Sequence, residues 1–133
     1  THQHLGEICE TIKEVQGDLP ELHFLPIRGN FTRGIFVTAY TPFSGTEDDA
    51  KNIYKEYYQS HPFTHVSETS IHLKQVVNTN NCVIHLYKHG DKLLITSIID
   101  NLLKGASGQA VENMNLMHGW EQKTGLQLKA NVF

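Results

Sequence analysis

The sequence has 133 residues, of which 39% are hydrophobic, a size and composition suited to one globular domain. Its 14 acidic and 11 basic residues give a formal charge of −3 without a cluster of Lys and Arg, so nucleic acid is not an expected partner. Two cysteines, together with no apolar run near the ~20 residues that span a bilayer, predict a cytoplasmic protein that does not enter the membrane.

Hydrophobic spacing predicts a helix at the start of the chain, followed by two strands. The helix ends at Gly17, and apolar residues at intervals of three and four form its stripe: Leu5, Ile8, Ile12 and Val15. Apolar and β-branched residues predict strands over residues 22–27 and 33–41, with an irregular loop at 28–32.

A second helix is predicted to begin at Thr46, where Asp49 completes a pattern typical of a capping box. Its predicted buried stripe consists of Ala50, Ile53, Tyr54 and Tyr57. Further strands are predicted over residues 63–67, 71–77, 82–87 and 92–99, with a turn at 88–91 joining the last two.

After these strands, a turn of small residues at 101–108 leads into a third predicted helix. One side of that helix carries Ala110, Val111, Met114 and Met117. The tail from 119 to 133 is consistent with one more strand or with a segment that needs a partner. Strand pairs mixed with helices predict an α+β fold, with a mixed, largely antiparallel sheet covered by helices.

The first candidate site is the pattern His2-x-His4-x-x-Glu7 at the start of the first helix. A carboxylate at Glu7 can hold an imidazole in one tautomer while the imidazole moves a proton. An exposed helix start explains the same residues, and a His-x-His pair can also bind zinc. No other Cys or His spacing completes such a zinc site, so no metal is predicted.

The second candidate site is the glycine-containing turn at 100–110, which follows a strand and opens a helix. Helix N-terminal amides and Lys104 favour an anionic ligand there, although a close-packed turn explains the pattern as well. Arg28 and Arg33 flank a loop from which guanidinium groups can clamp a carboxylate or phosphate; the alternative is two surface arginines. Neither Cys9 nor Cys82 has the surroundings of an activated nucleophile.

The run Ser97–Asn115 resembles the strand-turn-helix signature of the N-acetyl-gamma-glutamyl-phosphate reductases almost residue for residue. Lesser matches occur in the same order as in that family. They are His2-x-His4-x-x-Glu7-Ile8, then Arg33-Gly34-Ile35, then Gln75-Val76 followed by Asn80-Asn81-Cys82, and finally Lys123-Thr124-Gly125-Leu126. The resemblance therefore extends over nearly the whole chain.

The resemblance implies a domain like the C-terminal domain of glyceraldehyde-3-phosphate dehydrogenases. It also implies reduction of an acyl phosphate by NADPH through a cysteine thioester. His2 matches the catalytic histidine and Glu7 its acidic neighbour, while Arg33 and the loop with Arg28 match the region that holds the substrate's anionic groups. The turn that faces the nicotinamide end of the cofactor is matched by Asn101, Lys104, Gly105, Ala106 and Gln109.

The same resemblance implies one substrate and dimerisation domain over 1–133, forming a homodimer or homotetramer. Residues 108–133 would pack on an N-terminal NADP-binding domain, expected to lie upstream with the nucleophilic cysteine, so the chain by itself is predicted to be inactive. Gly6 stands where the family has proline, and the loop at 28–32 is longer than in the common pattern. The resemblance implies the arginine-biosynthesis reaction that converts N-acetyl-5-glutamyl phosphate to N-acetylglutamate 5-semialdehyde. The alternatives are a related aminoadipate or aspartate semialdehyde dehydrogenase, and a non-catalytic stand-alone assembly module.

Overall fold

The computed structural model describes residues 4–130, and it divides into two compact units at the boundary between Phe31 and Thr32. The first unit contains helix α1, His4–Gln16. The second contains strand β1 (Ile35–Pro42), helix α2 (Glu47–Tyr58) and strand β2 (Thr64–Ser67). Strands β3 (Cys82–His89) and β4 (Lys92–Ile99) and helix α3 (Gly108–Met117) complete it.

The four strands form one mixed sheet in the order β1-β4-β3-β2. The β1–β4 and β3–β4 pairs are antiparallel, and the short strand β2 runs parallel to β3. The β3–β4 connection is tight, and Gly90 adopts φ +59° there, a conformation that favours glycine. The prediction of an α+β fold with a mixed, largely antiparallel sheet is confirmed.

Helix α2 packs on the face of the sheet that β3 and β4 share. A buried cluster of Ala50, Ile84, Leu86 and Leu93 is surrounded by partly buried side chains, among them Tyr54 and Tyr58. Burial of these apolar surfaces is the main favourable contribution to packing. The helix begins as predicted, with the hydroxyl of Thr46 accepting from the amide of Asp49 and the Asp49 carboxylate accepting from the amide of Thr46.

The predicted stripe of α2 is only half right. Ala50 and Tyr54 face the core, but Ile53 and Tyr57 are 56% and 67% exposed. Tyr58, four residues after Tyr54, takes the inward position instead.

Two of the six predicted strands do not form. Residues 22–27 lie outside regular structure, because Pro20 and Pro26 lack the amide hydrogens that a strand ladder requires. Residues 71–77 contain a single 3-10 turn, Leu73–Gln75, and the chain then reverses through Asn78, whose φ is +63°. The tail shows no strand over residues 119–130, which rules out one of the two interpretations given to it.

Candidate functional site

A π-helical turn, Leu103–Ser107, joins the end of β4 to the start of α3 and contains most of the cofactor-binding residues expected from the resemblance. The amide of Ser107 donates to the carbonyl of Leu102 at 3.1 Å, and the amide of Gly105 donates to the carbonyl of Asp100 at 2.9 Å. Such wide turns are rare and occur often at functional sites. The turn, with Asp100 to Gly108 as its limits, is called the wide turn below.

Asp100 holds the start of the wide turn. Its Oδ1 accepts from the amides of Leu102 and Leu103 at 2.8 and 2.9 Å, which is the role of a helix N-cap. Its Oδ2 accepts from the amide of Asn78 at 2.7 Å. The Arg33 guanidinium binds both oxygens, Nε to Oδ2 at 2.9 Å and Nη2 to Oδ1 at 3.0 Å.

This environment fixes the charge of Asp100, whose side chain is fully buried. Burial raises the pKa of the carboxyl, but the hydrogen bonds from Arg33 and from the amides of Asn78, Leu103 and Leu102 outweigh it and hold the pKa at about 2. Asp100 is therefore ionised at neutral pH.

Asn101 is hydrogen-bonded to the segment that directly precedes β1, the segment that also contains Arg33. Its Oδ1 accepts from the amide of Gly34 at 2.7 Å, so its NH2 group is directed away from that contact. Gly34 has φ +113°, and a Cβ at this position would lie 2.8 Å from Leu73 Cδ2. The Arg33-Gly34 pair thus holds Asp100 with a side chain and Asn101 with a backbone amide.

Lys104 is directed towards α3. Its Nζ donates to Glu112 Oε2 at 2.6 Å and lies 5.6 Å from the centre of the Phe63 ring. The other Glu112 oxygen accepts from Gln122 Nε2 at 2.7 Å. The Lys104 charge is therefore compensated by a buried carboxylate.

Helix α3 buries polar residues on the side that packs against the tail. Glu112 and Asn115 are buried, whereas Met114 and Met117 are 43% and 84% exposed. The Asn115 amide donates to the carbonyls of Gln122 and Thr124, which folds the tail back against the helix. Because the carbonyls of the tail need donors, a polar side of α3 faces inward, and Met114 and Met117 on the predicted apolar side remain exposed.

The remaining expected site residues are not part of the wide turn or lie outside the described residues. His2 is outside the described residues. Glu7 is exposed in the first turn of α1 and Arg28 is exposed in the segment after α1, both in the first unit. Gln109, at the start of α3, donates to Asn113 Oδ1 at 3.1 Å. Of the expected residues, the structure brings Arg33 and the wide turn together.

Sequence reasoning missed Asp100 as the centre of the site. A signal was present, because an aspartate between a strand and a helix can accept hydrogen bonds from the free amides at the helix start. Its long-range partners, Arg33 and Asn78, had no such signal, because the sheet alone brings these segments together.

Residues 4–130 contain neither a membrane-spanning helix nor a cluster of metal ligands. No helix there is long and apolar enough to cross a membrane. No group of three or more His, Cys, Asp or Glu side chains within that range is arranged to hold a metal ion.

Residues 1–101 match the family model described as the semialdehyde dehydrogenase dimerisation domain. Three curated relatives are named N-acetyl-gamma-glutamyl-phosphate reductase. The relative from Christiangramia forsetii is 60% identical over 133 residues, which are 99% of this chain and 41% of the relative. Those from Azobacteroides pseudotrichonymphae and Parabacteroides distasonis are 56% and 53% identical, over 100% of this chain and 41% and 42% of the relatives.

The chain thus spans about two-fifths of the length of these relatives. The family match, in contrast, covers 101 of the 133 residues of this chain. This chain belongs to the family of semialdehyde dehydrogenase dimerisation domains.

Proposed function

We propose that this chain is the C-terminal part of an NADP-dependent reductase of arginine biosynthesis. The reaction converts N-acetyl-5-glutamyl phosphate to N-acetylglutamate 5-semialdehyde and phosphate. The observation that carries the proposal is the 60% identity, over 99% of this chain, to a relative named N-acetyl-gamma-glutamyl-phosphate reductase. The proposal includes the cytoplasmic location predicted from the sequence.

The proposed cofactor-facing surface is the wide turn, and its residues fit that role. Gly105 and Ala106 are exposed and present little side chain, so a planar ring can approach the backbone. Asn101 has its oxygen occupied by Gly34 and its NH2 group available as a donor for a carbonyl oxygen. Lys104 and Gln109 complete the set, Lys104 by supporting the turn through Glu112. NADPH, when bound, supplies the hydride.

The proposed proton carrier is His2, with Glu7 as its acidic neighbour. A histidine can give a proton to a departing group and take one back at neutral pH because its ordinary pKa lies near 6.5. The nucleophilic cysteine is assigned to the N-terminal NADP-binding domain of the longer protein.

The proposed substrate anion contacts are Arg33 and Arg28. Nε and Nη2 of Arg33 bind Asp100, so an anionic group would be held through Nη1 of a side chain that is 30% exposed. Arg28 is exposed in the first unit.

Association with further subunits is also part of the proposal. β1 is an edge strand whose eight residues are all exposed, with Phe36 and Tyr40 on one face and Ile35 and Val37 on the other. Exposed apolar surface of this kind favours burial against a partner. We propose a homodimer or homotetramer through the sheet, and packing of α3 and the tail on the NADP-binding domain.

The test is phosphate-dependent reduction of NADP by the full-length protein with N-acetylglutamate semialdehyde as substrate. Wild type is expected to be active, and His2→Asn is expected to lose on the order of 100-fold or more in kcat. His89→Asn, at the exposed end of β3, is the matched control and is expected to keep wild-type activity.

Aspartate and aminoadipate semialdehydes are assayed in parallel. A higher kcat/KM with either of them would reject the assignment of substrate. An unaffected His2→Asn variant would reject the assigned proton carrier. Absence of activity with all three semialdehydes would favour the non-catalytic assembly module.

A further inference from the structure

We propose that Arg33 and Asp100 form a positioning pair that fixes the wide turn for the cofactor, a role distinct from direct contact with the substrate. This inference rests on the proposed function, because it assumes that the wide turn faces NADP. Arg33 acts on Asp100, and Asp100 acts on the turn.

The first step is the connection between Asp100 and the turn. Its carboxylate accepts from the amides of Leu102 and Leu103, and its own carbonyl accepts from the amide of Gly105. One residue therefore determines the direction of the backbone at the first and the middle positions of the wide turn. Rotation of this carboxylate would leave the amides of Leu102 and Leu103 without acceptors.

The second step is the requirement for a charged partner. A buried carboxylate loses the stabilisation of water and is kept ionised only by opposite charge and hydrogen bonds. Arg33 supplies both the charge and the hydrogen bonds. Its Nε and Nη2 each bind one carboxylate oxygen, because the spacing of these two nitrogens matches that of the two oxygens. The amide of Asn78 donates a further hydrogen bond to Asp100 Oδ2 and so restrains the carboxylate as well.

The third step is the effect on Asn101. Arg33 and Gly34 are adjacent in the chain, so the bond between Gly34 and Asn101 Oδ1 depends on the same strand start that Arg33 anchors. If the Arg33–Asp100 pair were lost, the Asn101 NH2 group would lose its fixed direction as well. The affinity for NADP should therefore fall even though neither Arg33 nor Asp100 contacts it.

The experiment is a double-mutant cycle in the full-length reductase. Arg33→Gln, Asp100→Asn and the double variant are compared with wild type for NADP affinity by equilibrium titration. Amide hydrogen exchange at Leu102 and Leu103 is measured in the ligand-free protein. NADP affinity measures the effect on the proposed cofactor site. Amide exchange measures the local stability of the wide turn without any ligand.

We expect each single variant to weaken NADP binding by about five- to tenfold, an effect equivalent to one lost helix cap. The double variant should lose no more than about the same factor, because both changes break one unit. Exchange at Leu102 and Leu103 should accelerate in all three. Arg33→Lys keeps the positive charge but lacks the two-nitrogen guanidinium geometry, so its loss of NADP affinity should be smaller than that of Arg33→Gln.

A different result would overturn the inference. If Arg33→Gln raises KM for the acyl phosphate while NADP affinity and amide exchange stay at wild-type values, Arg33 is a substrate ligand and no positioning residue. Losses of NADP affinity that multiply in the double variant would show that the two side chains act independently, which would also overturn the proposed pair. Lys55→Gln, which breaks the exposed ion pair with Glu68, is the control and should change neither readout.

The proposed function and this inference fail in distinguishable ways. If wild-type protein neither binds NADP nor reduces it, the proposed function is wrong. If wild type does both and the Arg33 and Asp100 variants bind NADP normally, only the positioning role is wrong.

Discussion

At the scale of single residues, Asp100 shows how one side chain links four segments of the chain. It terminates β4, caps the wide turn, receives Arg33 from the start of β1 and receives the amide of Asn78 from the reversal before β3. Breaking such a pair by removing one partner costs more than the pair contributes net, because it leaves a buried charge uncompensated. This makes Asp100 the residue at which stability and the candidate site are coupled.

A pH dependence follows from the lowered pKa of Asp100. A folded-state pKa of about 2 lies below the value of an unfolded aspartate, so its contribution is complete above that unfolded value and is lost as the pH falls towards 2. Urea unfolding at pH 5 and pH 2 should show that wild type loses about 2 kcal/mol more than Asp100→Asn. Asp18→Asn, a control at an exposed position, should lose as much stability between pH 5 and pH 2 as wild type. Equal losses in wild type and Asp100→Asn would contradict the assigned role.

The sequence showed the residue types of the wide turn but not their partners. The resemblance drew attention to Asn101 and Lys104, and both lie in the turn as expected. The bonds from Gly34 to Asn101 and from Lys104 to Glu112 were not foreseen. Gly34 and Asn101 are 67 residues apart, and local periodicity carries no information on such a contact.

At the scale of elements, strong local signals were predicted correctly and weak ones were not. The capping box of α2 and the 88–91 turn are chemical patterns within a few residues, and both form. The predicted strand at 22–27 had suitable side chains but no partner strand, and β-propensity without a partner does not make a strand. The sequence made no prediction for the inner side of α3, because that side is determined by contacts with the tail, which lies later in the chain.

The start of α3 packs so closely on Asn80 that adding one methyl group at Gly108 should lower stability. A Cβ at Gly108 would lie 1.7 Å from Asn80 Oδ1 and 2.9 Å from the carbonyl oxygen of Leu103. Since Asn80 is itself held by its bond to the Leu126 carbonyl, Gly108→Ala should lower the free energy of unfolding by about 1–3 kcal/mol in a denaturant titration.

The matched control for this change lies three residues earlier. A Cβ at Gly105 would meet its nearest atoms at 3.4 Å, which is an ordinary contact. Gly105→Ala should therefore leave stability unchanged or raise it by up to about 1 kcal/mol. A Gly108→Ala protein as stable as Gly105→Ala would show that α3 does not pack on Asn80 in this way.

At the scale of the whole molecule, two of the apolar regions that the described residues leave exposed lie in the second unit. One is β1, and the other is the end of α3 and the tail, where Leu116, Met117 and Trp120 are exposed. Exposed apolar surface of this kind favours burial against a partner. The family match over 1–101 agrees with an assembling domain, since its description is that of a dimerisation domain.

The most direct test of the central claim, that the wide turn faces the cofactor, is amide hydrogen exchange of the full-length protein with and without NADP. We predict slower exchange over residues 101–109 when NADP is present, and no change in the 88–91 turn, which joins β3 to β4. NADP that binds without altering exchange at 101–109 would contradict the claim and move the cofactor surface elsewhere.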